Sequence, residues 1–284
     1  MINFDEFPPK YDPSLRPPAL TTGLIVFTFM LCVIKSVTSY TFESLILYPR
    51  APLDLNLNSI SLYSLFHVNF FHWICNIFTL ATPLAVFETR NGTIHTGVTL
   101  NLLTVIAALQ YCIVGLIFYP NTGVIGLSGI AFLLMSYMAY HESKFRPIMH
   151  TFHLSNSLEI KLYTLYVPFV VAIVFMILFS SSSLPGHLFG ITTGYLLSYG
   201  YIDKLYPPSK VITTIENKLS SLINFLELIV TFYKEEESLV TRGSVGYKPL
   251  FNQDIEHGAA NAASHGSSAF VGETRVLGTR ESTV

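Results

Sequence analysis

The sequence predicts an all-α protein that crosses a membrane several times. Hydrophobic residues make up 51% of the chain and charged residues only 12%, whereas charged residues are about 25% of a soluble domain. The mean hydropathy is +0.50, and the net charge of -2 gives no indication of a nucleic-acid partner. A spanning helix needs about 20 mostly apolar residues. Six segments fit: roughly 20–39, 62–86, 97–119, 124–140, 162–181 and 184–202.

The segment before the first span, residues 1–18, is polar and rich in proline. It does not resemble a cleaved signal peptide, so we expect the first span to act as the membrane signal. Residues 19–203 then form a membrane domain of six helices. Positive charges favour the cytosolic side of a membrane, which places both termini in the cytosol. The charges that decide this are Lys10, Arg16, Arg90, Lys144, Arg146, Lys161, Lys204 and Lys210.

A different pattern follows the sixth span. Within residues 210–234, apolar side chains recur at steps of three and four, while Glu216, Lys218 and Glu227 make the segment too polar to span. We interpret it as an amphipathic helix on the cytosolic surface; a helix packed in the cytosol is the alternative. Residues 240–284 are rich in Gly, Ser, Ala and Asn and are expected to be a disordered cytosolic tail.

Polar residues stand near the starts of three spans. With the amino terminus in the cytosol, the second, fourth and sixth spans run from lumen to cytosol. Counting about 1.5 Å per residue puts His72, Ser128 and His187 within about 15 Å of the lumenal face. Intramembrane polar residues are functional-site candidates. The alternatives are a histidine that bonds two helices and a Gly-x-Ser-Gly string that only allows close packing.

A serine becomes a strong nucleophile when a base takes its proton. His187 is the candidate base for Ser128. Small residues on the His187 face of the sixth span would let the fourth span approach closely, and glycines beside Ser128 would give matching clearance. These supporting residues are Gly190 and Gly194 on the sixth span and Gly126 and Gly129 on the fourth.

Further side chains complete a possible site for acyl transfer. Phe132 lies one turn after Ser128 and is placed to stack on an imidazole ring, although a core or lipid-facing aromatic is the alternative. His72 and Asn76 are four residues apart on the second span and carry N–H groups. With the Ser128 backbone N–H they are candidate oxyanion donors. His67 points elsewhere on that helix and is expected to brace the lumenal loop.

The order of these motifs resembles the rhomboid intramembrane serine proteases. His67…His72-x-x-x-Asn76 comes first, then Gly126-x-Ser128-Gly129, then His187-x-x-Gly190-x-x-x-Gly194, and the resemblance covers roughly residues 15–205. It implies a six-helix core and a serine–histidine dyad that cleaves single-pass membrane proteins near the lumenal face. Ser128 would be the nucleophile and His187 the base, with no cofactor or metal. His72, Asn76 and the Ser128 backbone would bind the oxyanion.

The fungal Golgi rhomboids are the more similar subfamily. PPALTTGL at 17–24, FETRNGTIHTGVTLNL at 87–102 and the long tail carry this resemblance, which implies a Golgi or early secretory membrane. The chain departs from many rhomboids at two points. The first lumenal loop has Arg50 without a tryptophan beside it, and Phe132 stands where many members have tyrosine.

The tail contains a motif of its own. Its two apolar anchors and two glycines resemble the SHP box, which docks on the amino-terminal domain of the valosin-containing-protein segregase ATPase. The alternative is a solvated tail without a partner. The motif residues are Phe270, Gly272, Leu277 and Gly278.

Two other functions compete with an active protease. One is a catalytically silent rhomboid-like scaffold that delivers membrane clients to the segregase; the presence of both Ser128 and His187 favours the enzyme instead. The other is a small-molecule transporter. Transporters often show internal repeats and acidic residues inside their spans, and this chain has no clear repeat and almost no acid there.

Overall fold

The structure, a computed structural model of the chain, describes residues 16–38, 42–155, 158–179 and 182–244. The SHP-like motif and most of the amino-terminal arm lie outside these described residues. Ten α-helices and two strands occur within them: α1 (Ala19–Thr38), α2 (Leu57–Leu62), α3 (Phe70–Asn91), α4 (Thr93–Phe118), α5 (Ser128–Ser143), β1 (Ile148–Ser155), β2 (Leu158–Tyr163), α6 (Val167–Leu178), α7 (Leu184–Ser198), α8 (Ser209–Lys218), α9 (Ser220–Leu226) and α10 (Glu235–Ser244).

Three helices of the described chain, α1, α3 and α4, are long and apolar enough to cross a membrane. The prediction of a largely helical membrane protein is confirmed to that extent. The helices α5 and α7 have only 16 and 15 residues, and the apolar helical segment around α6 covers Thr164–Leu178. The six apolar segments of the sequence therefore all contain helices, but four of these helices, α3, α5, α6 and α7, are shorter than the apolar segments.

The hydrophobic core surrounds α5. Leu133 and Leu134 are almost completely buried, and they belong to one cluster with Leu80 of α3 and Leu103 of α4. A second cluster joins the 47–51 segment to α4. Because neighbouring helices cover α5 on several sides, it can be short and still lie wholly in an apolar environment.

The helices α5 and α7 approach each other closely at two glycines of α7. A Cβ atom built on Gly190 would overlap the carbonyl oxygen of Gly129, and one built on Gly194 would overlap that of Leu133. Both obstacles are backbone atoms, so a side chain could fit only if the helices moved apart. Glycine at these two positions lets α5 and α7 touch along a shared face.

Several helix boundaries differ from the sequence prediction. The second span was expected to begin at residue 62, but α3 begins at Phe70. Asn69 has extended backbone angles, and its side chain accepts a hydrogen bond from His72 N at 2.8 Å, which caps the helix. His67 therefore precedes the helix. Likewise Ser128 is the first residue of α5 and not its fifth.

A β-hairpin corrects the expectation of an all-α fold. Strands β1 and β2 pair antiparallel between α5 and α6, where the prediction had a loop and the start of the fifth span. Leu158, Ile160 and Leu162 alternate with polar residues, which is the period of a strand. The helix of the fifth predicted span, α6, accordingly begins at Val167 and not near residue 162.

A buried carboxylate joins three helices at the end of the bundle where α1 begins. Glu88 of α3 is 0% exposed and accepts hydrogen bonds from the first turn of α1: Leu20 N at 2.7 Å, Thr21 N at 2.8 Å and Thr21 Oγ1 at 2.8 Å. Thr93 Oγ1, at the start of α4, donates to the same carboxylate at 2.9 Å. Glu88 thus caps α1 and satisfies amide groups that a helix start leaves free.

The predicted single helix over 210–234 is two helices, α8 and α9, with a break at Leu219. Ile212 and Ile223 are buried, whereas Leu222 and Ile229 are exposed. The chain then pairs with the start of α1, where Ala19 N donates to Thr231 O at 2.9 Å. The further helix α10 reaches into the region that was expected to be disordered from residue 240. Its first amide, Glu235 N, donates to the Glu216 carboxylate at 3.0 Å.

The contact between α5 and α7 makes a first prediction. Gly190→Ala should lower the free energy of unfolding by about 1–3 kcal/mol, as overpacking does, because the added methyl group meets the Gly129 carbonyl. Gly23→Ala on α1 is the matched control, since a Cβ there meets nothing within 4 Å. Thermal unfolding in detergent compares the two variants. Equal stability would mean that the helices do not need this glycine.

Candidate active site

One cavity brings together the starts of α3, α5 and α7. We call this end of the bundle the site end. The cavity has a volume of about 160 Å³, and its walls include Ser128 of α5, His187 of α7, and His72 and Asn76 of α3. Four residues from three separate segments of the sequence therefore surround one space.

The strand-like segment before Ser128 is held by backbone hydrogen bonds. Val124 and Leu47 bond to each other in both directions, at 2.9 and 3.0 Å, and Gly126 N donates to Tyr63 O at 3.1 Å. Gly126 has a φ of +124°, a backbone conformation open mainly to glycine. A Cβ there would lie 2.7 Å from His72 Cε1. Glycine is thus needed at this position for its backbone angle and for the space beside His72.

His67 and Lys35 extend this support. The Nε2 atom of His67 accepts a hydrogen bond from Leu127 N at 3.4 Å. Lys35, at the end of α1, donates to His67 O at 2.9 Å and to Val68 O at 2.7 Å. A charged group of α1 therefore holds the segment that contacts the residue before Ser128.

The imidazole of His187 is buried, with 4% of the residue exposed. Its ring lies 4.3 Å from the ring of Phe132, centroid to centroid, with an angle of 31° between the planes. Ser182 Oγ lies 3.5 Å from His187 Nδ1. Within the described residues no direct hydrogen bond joins Ser128 and His187; the two side chains share the cavity wall.

Spare hydrogen-bonding groups converge beside Gly126. Among the buried side-chain atoms of the described chain, Asn76 Nδ2 and His72 Nδ1 have no hydrogen-bond partner. A Cβ built on Gly126 would lie 3.2 Å from His72 Nε2 and 3.3 Å from Asn76 Nδ2, so the two side chains meet at this point. Ser128 begins α5, and an amide at a helix start has no partner within its helix.

The expected role of Gly129 changes. A Cβ there would make only ordinary contacts, 3.8 Å from Tyr63 Oη and 3.9 Å from Gly186 O. Clearance around the serine therefore does not require this glycine. What matters is its carbonyl oxygen, which occupies the space that a side chain on Gly190 would need.

Three residues near the site were not predicted as part of it. Lys35 was not a candidate site residue, although it is the only charged residue within α1. Tyr63 lines the cavity from a short 3₁₀ turn, Tyr63–Leu65. Ser182 belongs to a serine run, and nothing in that run singles out the residue that faces His187.

Known proteins match this chain over most of its length. The rhomboid domain family model matches residues 56–204. The chain is 99% identical to rhomboid-type serine protease 2 of Candida albicans over 284 residues, which is 100% of both chains. The protein of that name from Debaryomyces hansenii is 50% identical over 265 residues, 92% of each chain. The one from Saccharomyces cerevisiae is 34% identical over 245 residues, 85% of this chain and 90% of the relative.

The chain belongs to the rhomboid family. This confirms the resemblance on which the sequence analysis relied, and the matched region contains the cavity residues of α3, α5 and α7. The predicted enzyme class, a rhomboid-type serine protease, is confirmed at the level of the family, because these fungal rhomboids carry that name.

The lysine contact of this rhomboid makes a second prediction. Lys35→Met removes hydrogen bonds from a charged donor, each worth about 1.5–3 kcal/mol. If the displaced 67–68 segment moves Ser128, the cleavage rate of a membrane reporter should fall about tenfold or more, with Lys35→Arg partly active. Lys218→Met, at an exposed position of α8, is the control. If Lys35→Met cleaved the reporter as fast as the wild-type protein, His67 and Leu127 would hold their positions without the lysine.

Proposed function

We propose that this rhomboid cleaves single-pass membrane proteins, with Ser128 as nucleophile and His187 as general base. The observation that supports this most is the shared cavity, where a serine at a helix start faces the same space as a histidine and an unpaired amide donor. The aromatic rings of Phe71 and Phe179 also line this cavity. Such a wall suits an apolar substrate segment.

In the proposed reaction, Ser128 Oγ attacks the carbonyl carbon of the scissile peptide bond while its proton passes to His187. His187 then gives that proton to the departing amine, and the C–N bond breaks. Water hydrolyses the acyl-enzyme with the same proton transfers in reverse order. A proton on Nδ1, donated to Ser182 Oγ, leaves His187 Nε2 unprotonated and able to accept. Stacking on Phe132 keeps the ring in place.

The oxyanion needs donors that are in position before the reaction begins. Asn76 Nδ2, a ring N–H of His72 and the backbone N–H of Ser128 are the proposed donors. Asn76 Nδ2 has no partner among the described residues, so donating to the oxyanion would not require it to break another hydrogen bond. This matters because breaking a buried hydrogen bond during the reaction would offset part of the stabilisation.

The proposed topology uses α1 and α3–α7 as six membrane helices, with both termini in the cytosol and the site end toward the lumen. The loop charges support this orientation. Residues 1–18 form the cytosolic arm, 19–203 the membrane domain, 210–234 a surface segment and 240–284 the tail. The exposed apolar side chains of α9, such as Leu222 and Phe225, suit contact with the cytosolic leaflet. A Golgi membrane and a segregase partner for the tail complete the proposal.

The third prediction tests the dyad. Ser128→Ala and His187→Ala should each lower cleavage of a tagged single-pass substrate by at least about 10⁴-fold, and a fluorophosphonate probe should label the wild-type protein but not Ser128→Ala. Ser136→Ala is the matched control: Ser136 lies buried on the same helix and donates to Phe132 O. Cleavage that persists in Ser128→Ala would exclude the proposed nucleophile. A wild-type protein that binds clients without labelling or cleaving them would favour the scaffold.

The fourth prediction concerns the oxyanion. Asn76→Ala should reduce kcat about 10²- to 10³-fold with little change in KM, as the loss of an oxyanion donor does elsewhere. Asn58→Ala, at an exposed position of α2, should leave both constants unchanged. A rise in KM at constant kcat would instead assign Asn76 to substrate binding.

A further inference from the structure

The hairpin between α5 and α6 has one apolar and one polar face. Residues paired across two antiparallel strands share a face. Phe152 pairs with Ile160, and Leu158 and Leu162 lie on the same face as Ile160 because side chains alternate along a strand. His150, which pairs with Leu162, lies on the same face. We call Phe152, Leu158, Ile160 and Leu162 the apolar face of the hairpin.

The other face of the hairpin is polar over most of its length, with the pair of Ile148 and Tyr163 at its base. Thr151 pairs with Lys161, and His153 pairs with Glu159. His153 Nδ1 also lies 3.1 Å from Glu159 Oε1. The hairpin is therefore amphipathic. The apolar segment that follows it, α6, belongs to the helix bundle.

The described protein covers the apolar face only in part, and of its four residues only Leu162 is of intermediate exposure. Phe152, Leu158 and Ile160 are 48%, 51% and 50% exposed. An isolated two-stranded hairpin is at best marginally stable in water and needs an apolar surface to pack against. The face therefore requires a partner outside the described residues.

The base of the hairpin is fixed to the bundle. Thr164, which is almost fully buried, donates its N–H to Pro147 O at 3.0 Å and its hydroxyl to Arg146 O. The strands begin five residues after the last residue of α5 and end four residues before α6. In the proposed topology both flanking helices belong to the membrane domain, so the hairpin starts at the membrane boundary.

Charge indicates which surface covers the hairpin. Lys144 and Arg146 precede β1 and Lys161 lies within β2, while Glu159 is the one acidic residue within the described parts of the two strands. Basic residues beside an exposed apolar face are typical of segments that lie on a membrane with anionic lipids.

We propose that the hairpin lies on the membrane surface, with its apolar face in the boundary between headgroups and acyl chains and its basic residues at anionic headgroups. It thereby forms an interfacial anchor between α5 and α6. The proposal does not depend on catalysis by Ser128, so it stands or falls separately from the proposed protease activity.

Tryptophan substitution tests this in the full-length protein reconstituted into vesicles. The chain has one tryptophan, Trp73, which is buried and supplies the baseline signal. Phe152→Trp and Ile160→Trp place a probe on the apolar face; Thr151→Trp and His153→Trp place it on the polar face. Phosphatidylcholine with brominated acyl chains quenches tryptophans that reach the acyl boundary.

The added fluorescence of Phe152→Trp and Ile160→Trp should fall at least about twofold, because interfacial segments bury their apolar face about 5–10 Å deep. The Thr151→Trp and His153→Trp signals should stay unquenched. Equal quenching on both faces, or none on either, would overturn the proposal. Protection of Phe152→Trp from aqueous iodide without quenching by bromolipid would also overturn it, since that result identifies a protein partner.

The second measurement varies the charge of the lipid. Adding phosphatidylserine to the brominated phosphatidylcholine vesicles should increase the quenching of Phe152→Trp, and salt should reverse the increase, since salt screens such contacts. Quenching that is the same with and without phosphatidylserine would overturn the assignment of Lys144, Arg146 and Lys161 to anionic headgroups.

Discussion

The backbone contact between α5 and α7 is the constraint on which the candidate site depends. Ser128 directly precedes Gly129, and His187 lies one turn before Gly190. The approach of Gly190 to the Gly129 carbonyl therefore sets how far apart the serine and the histidine can be. No direct hydrogen bond joins the two side chains within the described residues. It is the packing of α5 against α7 that brings them to the same cavity. Packed helices resist small displacements, which makes this a rigid way to position two reacting groups.

The backbone of the segment before Ser128 is held by hydrogen bonds to other parts of the chain. A buried backbone must pair its N–H and carbonyl groups, and three separate segments provide partners through Leu47, Tyr63 and His67. A side-chain donor at the cavity lacks such a partner: Asn76 Nδ2 is buried and unpaired within the described residues. A satisfied backbone beside spare donors is the arrangement expected of a site prepared for charge that develops only during a reaction.

Sequence reasoning predicted four polar residues of the cavity, because polar groups inside apolar segments are rare and helix rise converts position into depth; these are His72, Asn76, Ser128 and His187. It missed Tyr63 and Ser182, which line the same cavity. It also placed a helix within each of the six apolar segments, and three of these helices, α1, α3 and α4, are long and apolar enough to cross a membrane. It failed where the outcome depends on contacts between distant segments. The start of α3 depends on the cap at Asn69, and the role of Lys35 depends on carbonyl groups more than thirty residues away. Hydropathy counting also left most of strand β2 in a loop and assigned its last two residues, Leu162 and Tyr163, to the fifth span.

Charged residues near the ends of the apolar helices show the same difficulty, because the sequence gives their positions but not their partners. Glu88 accepts from the first turn of α1, and Lys35 lies in its last turn, donating to the loop before α3. A carboxylate at a helix start and an ammonium at its end both interact favourably with the helix dipole. Burying Glu88 costs solvation, and its four hydrogen bonds offset that cost. The largely exposed helix α1 is thus fastened to the bundle at both ends, and its Lys35 end supports the segment that holds Leu127 beside the nucleophile.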